Sequence, residues 1–266
     1  MAKSSTKVPA KASGGAKLPA KRYDWKGMSG RGLDQVGAHD ILTSQIGIIQ
    51  PLSPQLQKSK PEFIKGAKAG MYVDKATKKI YETIEFVPCY YATKFIEWKP
   101  NRGGFAHDWG TDRGVMNKTR RKGEDDYRDY LQNGNYVAET KTFWGYNIED
   151  EPIASFFPLA YTQVKPAKDL ISALRRQMGT DENGEKFPAP IFYKSVILKT
   201  AERSNEKGEW FVMDWEWGRE LESEIKDNSL IDACIAFEEA ARSGMIQTAF
   251  TQDEGEGAGS DPDGAM

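Results

Sequence analysis

Aromatic and ionisable side chains crowd into the stretch 191–217, IFYKSVILKTAERSNEKGEWFVMDWEW. Trp210, Trp215 and Trp217 fall within eight residues, and Asp214 and Glu216 alternate with the last two. Residues two apart on a strand share a face, so Asp214 and Glu216 form a carboxylate pair and Trp215 and Trp217 an aromatic pair. Two carboxylates are too few for metal-assisted phosphodiester chemistry, which needs several acidic groups converging on metal ions. The tryptophans carry two readings, filling of a core or an open face on which flat partners such as bases stack.

Other catalytic constellations are missing from the sequence. There is no G-x-S-x-G elbow, no H-E-x-x-H and no Walker motif. His39, His107, Cys89 and Cys234 are too few and too scattered for a Cys/His zinc cluster. The two cysteines lie in apolar sequence and read as buried free thiols, which fits a reducing compartment. The glycines between Tyr23 and Gly37 lack both a preceding strand and a following Gly-Lys-Ser/Thr, so they read as linker. Glu124-Asp125-Asp126 reads as a divalent-ion site or as the solvated start of a helix. The expectation is a binding protein without catalytic residues, cofactor or metal.

Positioning such groups falls to strands. Ile191–Thr200 and Trp210–Trp217 form a hairpin around Asn205-Glu206-Lys207-Gly208, with Phe211, Met213, Trp215 and Trp217 on one face. Met71-Tyr72-Val73 begins an earlier hairpin turning at Asp74–Lys79. Ile80–Trp98 is a long strand with a bulge or edge position expected at Pro88. Tyr136–Ile148 and Ile153–Leu159 make a further pair. Residues 106–135 are a polar excursion, partly helical at Asp125–Leu131, and Ile41–Leu52 reads as a short helix or turn leading into a strand. Helical spacing appears at Gln163–Met178, stopped by Gly179, and at Leu230–Arg242, stopped by Gly244. Strands, a helix between strand pairs and a terminal helix, without βαβ alternation, predict a mainly β fold. It is an OB-like antiparallel β-barrel with an inserted helix, a C-terminal helix and disordered tails.

The net charge of −2 over 266 residues hides a division along the chain. Residues 1–22 carry six cations and no acid, and residues 251–266 five acids and no base. Three segments follow: a basic tail and glycine-rich linker (1–38), a folded domain (39–250) and an acidic tail (251–266), both tails too poor in apolar residues to fold. No apolar run approaches the ~18–20 residues of a membrane span, and the N-terminus lacks a signal-peptide core. A cytoplasmic protein without membrane contact is expected. A basic tail paired with an acidic one suits a nucleic-acid binder in which acids compete with the polyanion for a basic groove.

Gln50-Pro51-Leu52-Ser53-Pro54, Gly66-Ala67-Lys68-Ala69-Gly70-Met71, Phe95-Ile96-Glu97-Trp98 with Gly103-Gly104-Phe105, and Asn205–Phe211 resemble tailed-bacteriophage single-stranded DNA-binding proteins of OB-fold type. The resemblance spans residues 40–245. It implies a host-cytoplasmic replication or recombination protein that binds and protects single-stranded DNA with little sequence preference. Stacking candidates are Trp98, Phe105, Trp144, Tyr146, Tyr193 and Trp215, with Trp98 and Trp144 preferred. Phosphate candidates are Lys94, Lys99, Arg102, Arg120, Arg121, Lys141 and Lys194. Candidate partners, besides single-stranded DNA, are replication or recombination proteins docking on the acidic tail and further copies of the chain. The alternative is a virion or accessory structural protein using its β-rich body for protein contacts.

Overall fold

The computed structural model describes residues 43–246 apart from Arg102, Glu124, Asp125, Tyr127 and Lys207. Both expected tails, the glycine-rich linker, His39, Arg102 and most of the acidic triplet lie outside the described residues. The strands are β1 (Ser44–Ile48), β2 (Tyr72–Asp74), β3 (Ile80–Tyr81), β4 (Ile84–Trp98), β5 (Phe105–Asp108), β6 (Asp129–Tyr130), β7 (Tyr136–Asn147) and β8 (Ile153–Leu159). Helix α1 (Val164–Arg175), the hairpin β9 (Met178–Thr180) and β10 (Lys186–Pro188), β11 (Lys194–Asn205), β12 (Gly208–Glu220) and α2 (Asn228–Arg242) follow. The protein is mainly β, a strongly curled half-barrel sheet with a few helices. The main sheet runs β12-β11-β4-β7-β8-β1-β2-β3, with β5 on β4 and β6 on β7. Every pairing in it is antiparallel except β1 with β8.

Neighbouring residues on the central strands feed opposite cores, as the pleat demands. Phe86, Phe143 and Phe157 point to a cluster closed by Leu170 and Leu174 of α1. Val87, Trp144 and Phe156 point to a second cluster closed by Leu230, Cys234 and Phe237 of α2. Burial on both faces is why these strands read as nearly continuous apolar runs. The bulge expected at Pro88 is present: Pro88 pairs with Gly145 and Tyr90 with Trp144, leaving Cys89 as the extra residue. A Cβ on Gly145 would lie 1.9 Å from the Val87 carbonyl oxygen, so the crossing requires glycine there.

The outer edge of β12 is finished by side chains instead of another strand. Gln50 donates to the Phe211 carbonyl and accepts from its N–H, both at 2.9 Å. Gln163 donates to the same carbonyl at 2.9 Å and accepts from Met213 N–H at 2.7 Å. Across the same seam Tyr72 Oη donates to the Lys199 carbonyl at 2.5 Å and Thr200 Oγ1 to the Gly70 carbonyl at 2.6 Å.

Several local expectations shift. Ser44–Ile48 is strand, and Asp129–Tyr130 is strand where the sequence predicts helix, because Tyr130 exchanges backbone hydrogen bonds with Arg120. Helix α1 stops at Arg175, ahead of Gly179. Gly179 lies in β9, where a Cβ would stand 2.4 Å from the ring of Phe187. Helix α2 starts at Asn228, where Asp227 caps it by accepting from Ser229 and Leu230 N–H.

Candidate nucleic-acid interface

The polar excursion folds into a basic cleft beside the far end of β4. Its first piece is the 3-10 helix Arg113–Lys118, begun by Asp112, which accepts from Gly114 N–H at 2.7 Å. Thr119 ends that helix, its N–H bonded to the Met116 carbonyl. The chain then pairs Arg120 with Tyr130 through two backbone hydrogen bonds of 2.8 and 2.9 Å. β6 is held on β7 by the pairs Asp129↔Val137 and Tyr130↔Tyr136. Between these pieces opens a cleft of about 760 Å³, within the size range of small-ligand sites.

Lys118, Arg120, Arg121 and Lys122 all line this cleft, and all four are exposed. Of the four, Arg121 has an acidic neighbour, its Nε standing 3.6 Å from Asp129 Oδ1. Two aromatics line it as well. Lys118 Nζ stands 5.5 Å from the centroid of Trp109, and Lys122 Nζ 3.7 Å from that of Tyr130. Such cation–π contacts are worth about 0.5–1 kcal/mol at exposed sites.

Glu97 lies on the cleft wall and is buried. Its Oε2 accepts from Trp109 Nε1 at 2.9 Å, and its Oε1 from Asn133 and Asn135 Nδ2 at 3.0 and 2.6 Å. Burial pushes the Glu97 carboxyl up. The hydrogen bonds from Asn135, Asn133 and Trp109, with the nearby His107, outweigh burial and hold it below its ordinary value. A carboxylate charge is thus fixed behind the indole, and the surrounding cations face the opening.

The residues singled out from sequence are dispersed over the sheet. Arg120 and Arg121 line the cleft. Lys99 is exposed beyond β4, and Arg102 lies outside the described residues. Trp98 and Trp144, the preferred stackers, are 5 % and 3 % exposed and belong to the α2-side core. The pleat of β4 and β7 turns both inward, so neither presents a ring face to a ligand. Phe105 is half-buried edge-on to Trp98, and Tyr146 packs on Phe237 of α2. Burial pushes the Tyr146 hydroxyl up to about 12.

The remaining lysines are engaged in the sheet. Lys94 meets Asp108 at 2.7 Å, Lys141 meets Glu139 at 2.6 Å and Lys194 meets Glu220 at 2.9 Å. Tyr193 lies edge-on to Phe187, and Trp215 edge-on to Trp217, the more exposed of the two. Trp109, Tyr130 and Glu97 are not among the candidates named from the sequence, and of the basic run 118–122 only Arg120 and Arg121 are. One signal pointed to those left out: a tryptophan inside a polar excursion, followed within thirteen residues by five cations.

No curated protein and no solved structure matches the chain. A family described as Pam3 phage gp34-like protein matches residues 12–247, and the chain belongs to that bacteriophage family.

Proposed function

We propose that this phage protein binds single-stranded DNA with little sequence preference, through the basic cleft between the 3-10 helix Arg113–Lys118 and β6. The observation that carries this reading is the convergence of Lys118, Arg120, Arg121 and Lys122 on one cleft beside Trp109. Cations positioned along a backbone path neutralise phosphates and release counterions, independently of base sequence. Aromatic side chains next to that path suit unpaired bases, whose ring faces are free. Phage replication and recombination are the settings in which such a strand arises.

The test is a mobility shift with dT oligonucleotides and with duplex of equal length, run across a salt series. The expected result is preference for the single strand and a log–log salt slope of about −0.7 per phosphate contacted, so about −3 for four contacts. Arg121→Ala is expected to weaken binding and make the slope shallower by about 0.7. Absence of binding at low salt would exclude the reading and favour a structural role built on protein contacts.

A further inference from the structure

We infer that Trp109 is the platform on which one unstacked base of the bound strand lies, and that Lys118 leaves the ring for a phosphate as the base arrives. The inference rests on the proposed single-strand binding and names the residue that selects unpaired bases.

Trp109 is fixed from several sides. Its N–H donates to the Phe95 carbonyl at 2.9 Å, and Phe95 N–H returns to the Gly110 carbonyl at 2.9 Å. Its indole N–H is tied to Glu97 at 2.9 Å. Its ring packs against the small core of Phe95, Val115 and Val137, and His107 meets it edge-on at 4.6 Å between centroids. The indole therefore needs no rearrangement to serve as a flat support, and Glu97 acts as its positioning residue.

The ring is still only partly buried and lines the cleft, with the Lys118 ammonium over it at 5.5 Å. Tyr130, the other aromatic of the cleft, is 8 % exposed, has Lys122 at 3.7 Å, and accepts from Arg128 at its hydroxyl. It is closed to a base, which leaves Trp109 as the platform. An ammonium over an indole is held by the ring's quadrupole, and a phosphate attracts it more strongly because the charges are opposite. A base can then occupy the ring face while Lys118 joins Arg120, Arg121 and Lys122 on the backbone. A duplex keeps its bases stacked on one another and cannot supply this contact without unpairing.

The experiment combines Trp109→Phe, Trp109→Ala and binding of a dT oligonucleotide followed by tryptophan emission, with inorganic pyrophosphate as the base-free probe. Wild-type protein is expected to lose part of its emission on binding the oligonucleotide. Trp109→Phe keeps a ring and should bind nearly as tightly while losing that part of the quench. Trp109→Ala should bind roughly 5- to 150-fold more weakly, the equivalent of one base stack, with an unchanged circular dichroism spectrum. Should Trp109→Ala fail to fold, the emission difference between wild type and Trp109→Phe decides the matter. Pyrophosphate should compete for the cations without reproducing the quench.

The inference is overturned if Trp109→Ala binds as tightly as wild type, if Trp109→Phe shows the full quench, or if pyrophosphate produces the same quench. In each case single-strand binding itself survives. Failure of wild-type protein to bind the oligonucleotide would instead remove the reading on which the inference rests.

Discussion

Glu97 and Glu85 show how single carboxylates are kept charged inside a β-rich body. Glu85 receives Arg219 at both oxygens, at 2.9 and 2.5 Å, and Ser195 Oγ at 2.6 Å. Burial pushes its carboxyl up, while the hydrogen bonds of Arg219 and Ser195 outweigh this and hold it below the ordinary value. Glu97 reaches the same state with neutral amide and indole donors, so its ionised form depends on hydrogen bonds more than on an opposite charge. Glu97→Gln replaces an acceptor oxygen with a donor facing other donors, and is expected to cost about 1–3 kcal/mol of stability near neutral pH. The sign with pH follows from the depressed folded value. The stabilisation is fully present above the unfolded value of about 4.3 and is lost as pH falls through the lower folded value. Urea unfolding of wild type and Glu97→Gln should therefore show a gap that narrows on going from neutral to strongly acidic solution. A gap that stays constant across that range would mean that shape, and not ionisation, carries the effect.

At the scale of elements, the edge of β12 shows what a hydrophobic pattern can and cannot reveal. The period-2 run Phe211, Met213, Trp215 makes the strand legible, and the turn at Asn205–Gly208 fixes its partner. The helices were legible from their period, because α1 and α2 each bury one stripe. Nothing in Gln50 or Gln163 announces that their amides close the free edge of that strand, since any polar residue before a helix or turn looks alike in sequence. The candidate site was obscured for a related reason. Trp98 and Trp109 are both aromatic residues near cations, and only the register of β4 decides that the first faces a core. Gln163→Leu leaves the N–H of buried Met213 and one bond to the Phe211 carbonyl unmet, and is expected to cost roughly 1–3 kcal/mol. Gln163→Glu restores an acceptor for Met213 and should recover part of the loss. Equal stability of all three proteins by denaturant titration would show that the seam is held by packing alone.

Charge is divided over the whole molecule as sharply as hydrophobicity is over its strands. Residues 94–122 hold eight lysines and arginines against three acids, whereas residues 209–239 hold ten acids against two bases. The acidic half continues into the sequence 251–266, which adds five more acids and no base. A near-neutral total therefore conceals a molecule with a basic cleft and a large reservoir of negative charge on the same chain. Under the proposed function, the terminal acids compete with phosphates for Lys118, Arg120, Arg121 and Lys122. Each exposed charge pair is worth about 0.2–1 kcal/mol and is screened by salt. Five such acids acting together should weaken DNA binding by one to two orders of magnitude at low salt, with less effect near physiological ionic strength. Truncation after Phe250 is accordingly expected to tighten binding of a dT oligonucleotide at low salt, with the difference shrinking as salt rises. The pair of titrations, full-length and truncated, checks this directly. Equal affinities at low salt would leave the tail free of the cleft and make partner docking or solubility its role, while binding of the strand by the cleft would stand unaffected.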